Sequence, residues 1–290
     1  MYHHTASTRL LIRTAQIDSS VLAFASELEA ASGHPTALIV DARTAPPGGA
    51  APDAGILESP TLIRLSRDAC ASLGLHCPED FAWKCGDYGY YLARRQFPDT
   101  KRFWMFETDV RLYGGDAGEF FGFFDARGEI DFLAANLRPA GHSWFWRRTA
   151  RARDALPFRC LFPVTRLSSR AIDAAYRRRV RHGRLRRRRL LWPNDEALVA
   201  TTLLNGDFVC RDFNDFGRQF YHEETFYHGS PINGDIFNPD RTYLQLTHPV
   251  LFGAYYTARV SRAPPPDAPP PWWQQQLEKV AIKLNALSRW

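Results

Sequence analysis

Two carboxylates, Glu107 and Asp109, close an apolar and aromatic run, Phe103-Trp104-Met105-Phe106. At i, i+2 spacing on a strand they point to the same side. At the C-terminal tip of a buried strand they would stand on the crevice edge where open α/β sheets bind ligands. Two like charges side by side favour a shared cation. Hard divalent ions such as Mg²⁺ and Mn²⁺ take oxygen ligands and bridge to phosphates. The chemistry expected is a metal–diphosphate site. A strand end with two solvated acids is the plainer reading of E-x-D alone, so the other acids and histidines carry weight.

Asp41 ends an earlier apolar run, Thr36-Ala37-Leu38-Ile39-Val40, and is placed to accept hydrogen bonds from a nucleobase or ribose. His248 lies late in the chain and would complete a metal shell, because imidazole suits Mn²⁺ better than Mg²⁺. Without the acid pair it reads as a core histidine. Asp195 and Glu196 follow Pro193-Asn194 and open a helical run. Acids in a first helical turn are ordinary caps. One can cap while the other faces a cleft as a general base that deprotonates an acceptor hydroxyl.

The elements that must hold these groups follow from periodicity. Residues 9–14 and 36–40 read as strands around a helix at 17–32, with Asp18 or Ser19 as N-cap and Gly33 past its end. That βαβ unit starts a parallel sheet. A short strand at 61–65, a helix at 67–73, one helix at 83–95 stopped by Pro98, and the acid-tipped strand at 103–110 come next. Then follow a strand at 130–137, helices at 167–180 (capped by Ser168 or Ser169) and 195–204, and a late strand within 238–247. Residues 42–60 form a loop. The expected fold is α/β, a mainly parallel sheet flanked by helices in a single domain over residues 1–262. Residues 263–290 add a proline-rich spacer and an amphipathic helix.

The order of these motifs resembles glycosyltransferases of the GT-A fold. The residues that carry the resemblance are the βαβ with terminal Asp41, Lys84-x-Gly86-Asp87, Trp104-Met105-Phe106-Glu107-Thr108-Asp109-Val110, Asn194-Asp195-Glu196, and His248-Pro249-Val250. Glu107-Thr108-Asp109 is similar to that fold's D-x-D metal motif, with Glu in the first position. The Asn194-Asp195-Glu196 helix start is similar to the one that supplies the base in inverting members, including the core-2 branching type. The resemblance spans residues 8–252. It implies a nucleotide-sugar donor and a glycan or lipid-linked acceptor, with a surface glycan or glycolipid as product. Asp41, Lys84 and Asp87 would serve the nucleotide. Glu107, Asp109 and His248 would hold Mn²⁺ or Mg²⁺. Glu196, or Asp195 as second choice, would be the base in an inverting displacement.

Composition fits this class. The chain has 290 residues, 45% apolar and 23% charged, with 8 Trp, 11 Tyr and 20 Phe. Five cysteines in no C-x-x-C pair argue against a disulfide or zinc framework and for a cytoplasmic setting. No apolar run is long enough to span a bilayer. The net charge of +6 is concentrated in nine arginines between Arg177 and Arg189. So dense a run repels itself and calls for an anionic partner. An anionic membrane surface, a lipid diphosphate or an acidic glycan is expected, with peripheral contact to the inner membrane face. A nucleic acid is disfavoured, since no zinc-finger spacing or RNA-recognition motif accompanies the run. Trp144, Phe145 and Trp146 would stack on acceptor sugars or plug a loop. Two rival classes stay open: a metal-dependent nucleotidyl- or phosphotransferase, which would lack the usual Gly-rich phosphate loop here, and a non-enzymatic nucleic-acid binder built on the arginine run.

Overall fold

The computed structural model describes residues 7–41, 62–150, 156–185, 192–239 and 243–261. The proline-rich spacer, the amphipathic helix expected beyond it and the loop at 42–60 lie outside the described residues.

The strands in chain order are β1 (Thr8–Thr14), β2 (Thr36–Asp41), β3 (Leu62–Leu65), β4 (Arg102–Glu107), β5 (Arg111–Tyr113), β6 (Phe132–Pro139), β7 (Phe158–Ser168), β8 (Cys210–Asp212), β9 (Ile232–Asn233), β10 (Gln245–Thr247) and β11 (Val250–Leu251). Seven of them form one sheet in the order β3-β2-β1-β4-β7-β6-β8. β3, β2, β1 and β4 run parallel. β7 is antiparallel to both its neighbours, and β8 is parallel to β6. Helices cover both faces. This is the mixed, mainly parallel α/β sheet expected from the sequence.

β4 shows why its run is apolar throughout. Its side chains alternate between two cores on opposite faces of the sheet. Phe103 and Met105 join Tyr88, Tyr90, Tyr91 and the helices Ser169–Arg184 and Asp195–Leu204. Trp104 and Phe106 join the helix Ser19–Ser32 and the phenylalanine-rich helix Ala117–Asp125. Trp104 is fully buried and packs on Phe120, Phe121, Phe124 and Phe213, with centroids 5.4–6.2 Å away. Helix Ser19–Ser32 uses Asp18 as its N-cap and ends at Gly33 in the left-handed region, as its sequence foretells.

Four elements depart from, or are narrower than, expectation. β4 stops at Glu107, and residues 108–109 form a turn closed by the Val110 N–H on the Glu107 carbonyl at 3.2 Å. The expected helix at 83–95 is two, Phe81–Lys84 and Tyr88–Gln96, broken at Cys85-Gly86-Asp87. The helix expected from 167 begins at Ser169, because 158–168 is the long strand β7. Ser168 is nonetheless the cap, accepting from the Ala171 N–H. The late strand is short, β10, and pairs with β5.

Candidate active site

Adjacent parallel strands end side by side, and their tips carry Asp41 from β2, Arg13 from β1 and Glu107 from β4. Arg13 and Glu107 are register partners, and their side chains meet at 2.8 Å. Arg13 Nη2 makes that contact, while Nη1 lies 3.7 Å from Asp195 Oδ2. Nη1 is buried without a hydrogen-bond partner. Burial alone would weaken the guanidinium's hold on its proton. Glu107, Asp195, Asp109 and Asp87 overcome that and raise its pKa.

Glu107, Asp109 and His248 each offer a ligand atom within 4.8 Å of the others. The i, i+2 argument for the acid pair requires correction, because Asp109 sits in the turn rather than on the strand. The turn delivers it to the same place. Its conformation is set by Arg111, whose Nη1 donates to the carbonyls of Thr108 and Val110 at 2.8 and 2.6 Å. Asp109 also accepts the Val250 N–H through its own carbonyl at 2.7 Å, which ties the turn to the segment bearing His248.

The tautomer of His248 follows from its neighbours. Nδ1 lies 2.8 Å from the Tyr227 carbonyl, which can only accept, so Nδ1 carries a proton. In the neutral ring, Nε2 then presents a lone pair toward Asp109 Oδ1, 3.5 Å away. That approach is too long to satisfy Oδ1, which is buried and has no hydrogen-bond partner. Burial opposes ionisation of Asp109; against it, a proton on His248 Nε2 and the charge of Arg13 hold the carboxyl below its ordinary range, and a cation taking the Nε2 lone pair would replace that proton. Two carboxylates and one imidazole lone pair are a donor set suited to Mn²⁺ and, less well, to Mg²⁺. Glu107 can serve Arg13 with one oxygen and a cation with the other.

Asn194 caps the helix Asp195–Leu204 by accepting the Ala197 N–H at 3.0 Å. Capping by Asn194 frees the two acids that follow it. Asp195 is buried and accepts the N–H groups of Gly86 and Glu196 at 2.9 and 2.8 Å. Burial pushes its carboxyl up to about 7; Arg13 pulls it down and Glu196 pushes it further up. Glu196 is buried too, and accepts from Asn194 Nδ2 at 3.0 Å and His228 Nε2 at 2.5 Å. His228 is 56% exposed and packs edge-on against His248, centroids 5.8 Å apart. The Asp195–Glu196 helix start and the candidate cation site are therefore contiguous.

Burial opposes charge on His228, but the hydrogen bond and charge of Glu196 win and push the imidazole up to about 9. A raised folded pKa stabilises the fold fully below the unfolded value, about 6.5, and that contribution is lost as pH rises through about 9. The expected result is a fall in thermal stability between those limits that is absent in His228→Gln. Melting curves across this pH range test it, and identical slopes in both proteins would remove the pair.

Gly86 is where the break between the two short helices serves the site. A Cβ there would lie 1.7 Å from Arg13 Nη1 and 2.5 Å from Asp195 Oδ2. Gly86→Ala is expected to push Arg13 off Asp195; if Arg13 acts on a bound substrate, turnover should fall by about a hundredfold, the cost of a displacement on the order of 1 Å. Turnover beside the melting temperature checks this. Wild-type activity would show that Arg13 does not act.

Of the residues expected to serve the nucleotide, the structure corrects Asp87. It is 1% exposed and bonded on both oxygens by Arg179 and on one by Tyr91, so no ligand reaches it. Lys84 is held by Asp80 at 2.9 Å and lies over the Trp146 ring. Arg13 and His228 were not anticipated. Arg13 had a signal, a charge directly after the apolar run Leu10-Leu11-Ile12 of its strand. His228 lies in an irregular loop with none.

No protein-family model and no curated protein matches the sequence. Among solved structures, the chain is similar to a glycosyltransferase involved in the glycosylation of the major capsid of PBCV-1, with 11% identity and a TM-score of 0.31 over 59% of this chain and 65% of that one. It is also similar to core-mannan synthase A from Aspergillus fumigatus in its Mn/GDP form, with 11% identity and a TM-score of 0.38 over 74% of this chain and 75% of that one. The chain thus spans slightly less than two thirds of the viral enzyme's length.

Proposed function

We propose that the protein is a divalent-metal-dependent glycosyltransferase that moves a sugar from a nucleotide-sugar donor to a glycan or lipid-linked acceptor with inversion. The observation that carries this reading is the convergence of Glu107, Asp109 and His248, with Asp109 Oδ1 buried and unpartnered beside a histidine lone pair. Those three residues would hold Mn²⁺ or Mg²⁺, which would offset charge on the departing nucleoside diphosphate. Arg13 directs its unpartnered Nη1 to a diphosphate oxygen. Asp41 and Lys84 position the nucleotide. Glu196 takes the proton of the acceptor hydroxyl as that oxygen attacks the anomeric carbon. The bond from that carbon to the diphosphate oxygen breaks, and its electron pair leaves with the diphosphate. Asn194 and His228 orient Glu196, and Asp195 locks the helix start against Gly86.

Calorimetric titration with a panel of nucleoside diphosphates, with Mn²⁺ and with chelator, tests the donor half. One diphosphate should bind only with the cation. Binding indifferent to chelator, or none at all, would overturn the reading. Transfer of a nucleotidyl group in place of a sugar would shift it to the nucleotidyltransferase class.

A further inference from the structure

The short helix Arg147–Ala150 joins two surface features that sugar transfer leaves unused. The first is aromatic. Trp83 is 64% exposed and Phe145 42%. Both pack on Trp146, with centroids 6.1 and 4.7 Å away. The second is basic. Thr149 lines a cavity of about 250 Å³ whose wall includes Arg177, Arg178, Arg181 and His182, and among the described residues no carboxylate lines it.

The arginine run is divided by helical geometry. Arg179 turns inward to Asp87, while Arg177 and Arg181, four apart, stay exposed on the outer face. Concentrated positive charge and bare aromatic rings are each unfavourable in water. A neutral glycan would use the rings and leave the arginines; an acidic one would use both, and the vesicle test below separates it from a bilayer. A free phosphate would use the arginines and leave the rings. An anionic bilayer surface uses both: aromatic rings settle at headgroup level, and guanidinium groups pair with lipid phosphates. Each basic side chain near such a leaflet strengthens partition about fivefold.

We propose that this face docks the protein on an anionic phospholipid surface, with lipid phosphates entering the Arg177–Arg178–Arg181 cavity and Trp83 and Phe145 in the headgroup layer. The ring patch borders the proposed nucleotide region, since Lys84 lies over Trp146, but none of the residues replaced below belongs to the acid site.

Co-sedimentation with vesicles of phosphatidylcholine alone, or with added phosphatidylglycerol, tests it at low and high salt. The full chain should sediment only with the anionic vesicles, and its tryptophan emission should shift to the blue. Replacing Arg177, Arg178 and Arg181 by Gln should weaken partition roughly a hundredfold. Trp83→Ser with Phe145→Ser should keep the low-salt binding and lose the salt-resistant part and most of the blue shift. All five positions are exposed or half-buried, so an unchanged melting temperature is expected in each variant. No sedimentation with anionic vesicles, or full partition by the arginine variant, overturns the proposal. Calorimetric binding of inorganic phosphate or of a soluble oligosaccharide to this face, without vesicle binding, overturns it in favour of a soluble ligand. Tight, salt-steep RNA binding without vesicle binding does so in favour of nucleic acid.

Discussion

Asp109→Asn is expected to abolish cation binding and to cut sugar transfer by about a thousandfold or more. The substitution keeps the side chain's shape and removes its charge. Oδ1 of Asp109 is buried, has no hydrogen-bond donor, and faces His248 across 3.5 Å. On the proposed reading, a cation satisfies both. Lewis-acid stabilisation of a leaving diphosphate is worth several kcal/mol, and about 4 kcal/mol is a thousandfold in rate. The fold should persist, since the backbone carbonyl of Asp109, not its carboxylate, holds Val250. Mn²⁺ titration followed by electron paramagnetic resonance, beside initial transfer rates and a melting curve, makes the measurement. Mn²⁺ affinity equal to that of the wild type would remove the three-residue cation site. Lost affinity with full activity would separate the cation from the chemistry.

The sequence made the sheet legible where its elements were regular. β1, β2 and β4 are continuous apolar runs because both faces of the parallel sheet are covered, and their order alone yields the βαβ start. β7 was not legible. Pro163 sits mid-run, and proline in a strand interior usually argues against one. Here the β6–β7 pairing is irregular on that stretch, with register shifts at Ala134/Ala135 and Ala135/Arg138, and the irregularity accommodates it. The break at Cys85-Gly86-Asp87 was also hidden, because an apolar helical pattern continues through it. Only the tertiary contact of Gly86 with Arg13 and Asp195 shows why it must exist.

The candidate site was half legible for a similar reason. Acids and a histidine at element ends announce themselves by type and position. Their partners come from tertiary neighbours: Arg13 through the β1–β4 register, and His228 through a loop whose sequence carries no period. Asp87 was misplaced because its motif resembles a ligand-binding one while its environment is a core. A buried charge needs a buried partner, and that partner lay in a run whose composition reads as surface.

That partner gives the largest expected effect on stability. Arg179 is 0% exposed, and its Nε and Nη2 grip the two Asp87 oxygens at 2.7 and 2.8 Å. Its Nη1 donates to the Pro193 carbonyl at 2.7 Å, and the Tyr88 and Trp192 rings flank the guanidinium at 5.5 Å. Burial opposes its charge, and Asp87 more than offsets that, so its proton is held tightly. Arg179→Met strands the Asp87 carboxylate in the core, at a cost of about 3–5 kcal/mol. With roughly 5–15 kcal/mol of total stability, that lowers the melting temperature by on the order of 10 °C. Arg179→Met with Asp87→Asn removes the stranded charge and should recover a large part of the loss, since coupled neighbours do not add. The pair also braces the site. Asp87 follows Gly86, which holds Asp195, and Pro193 precedes the Asn194-Asp195-Glu196 turn. The double variant should therefore fold and still transfer sugar more slowly than the wild type, by about tenfold for a sub-ångström shift of the base. Denaturant titration and initial rates on the three proteins decide it. A single variant as stable as the wild type would show that Arg179 belongs to the outer basic face after all. A double variant with full activity would confine the pair to stability alone.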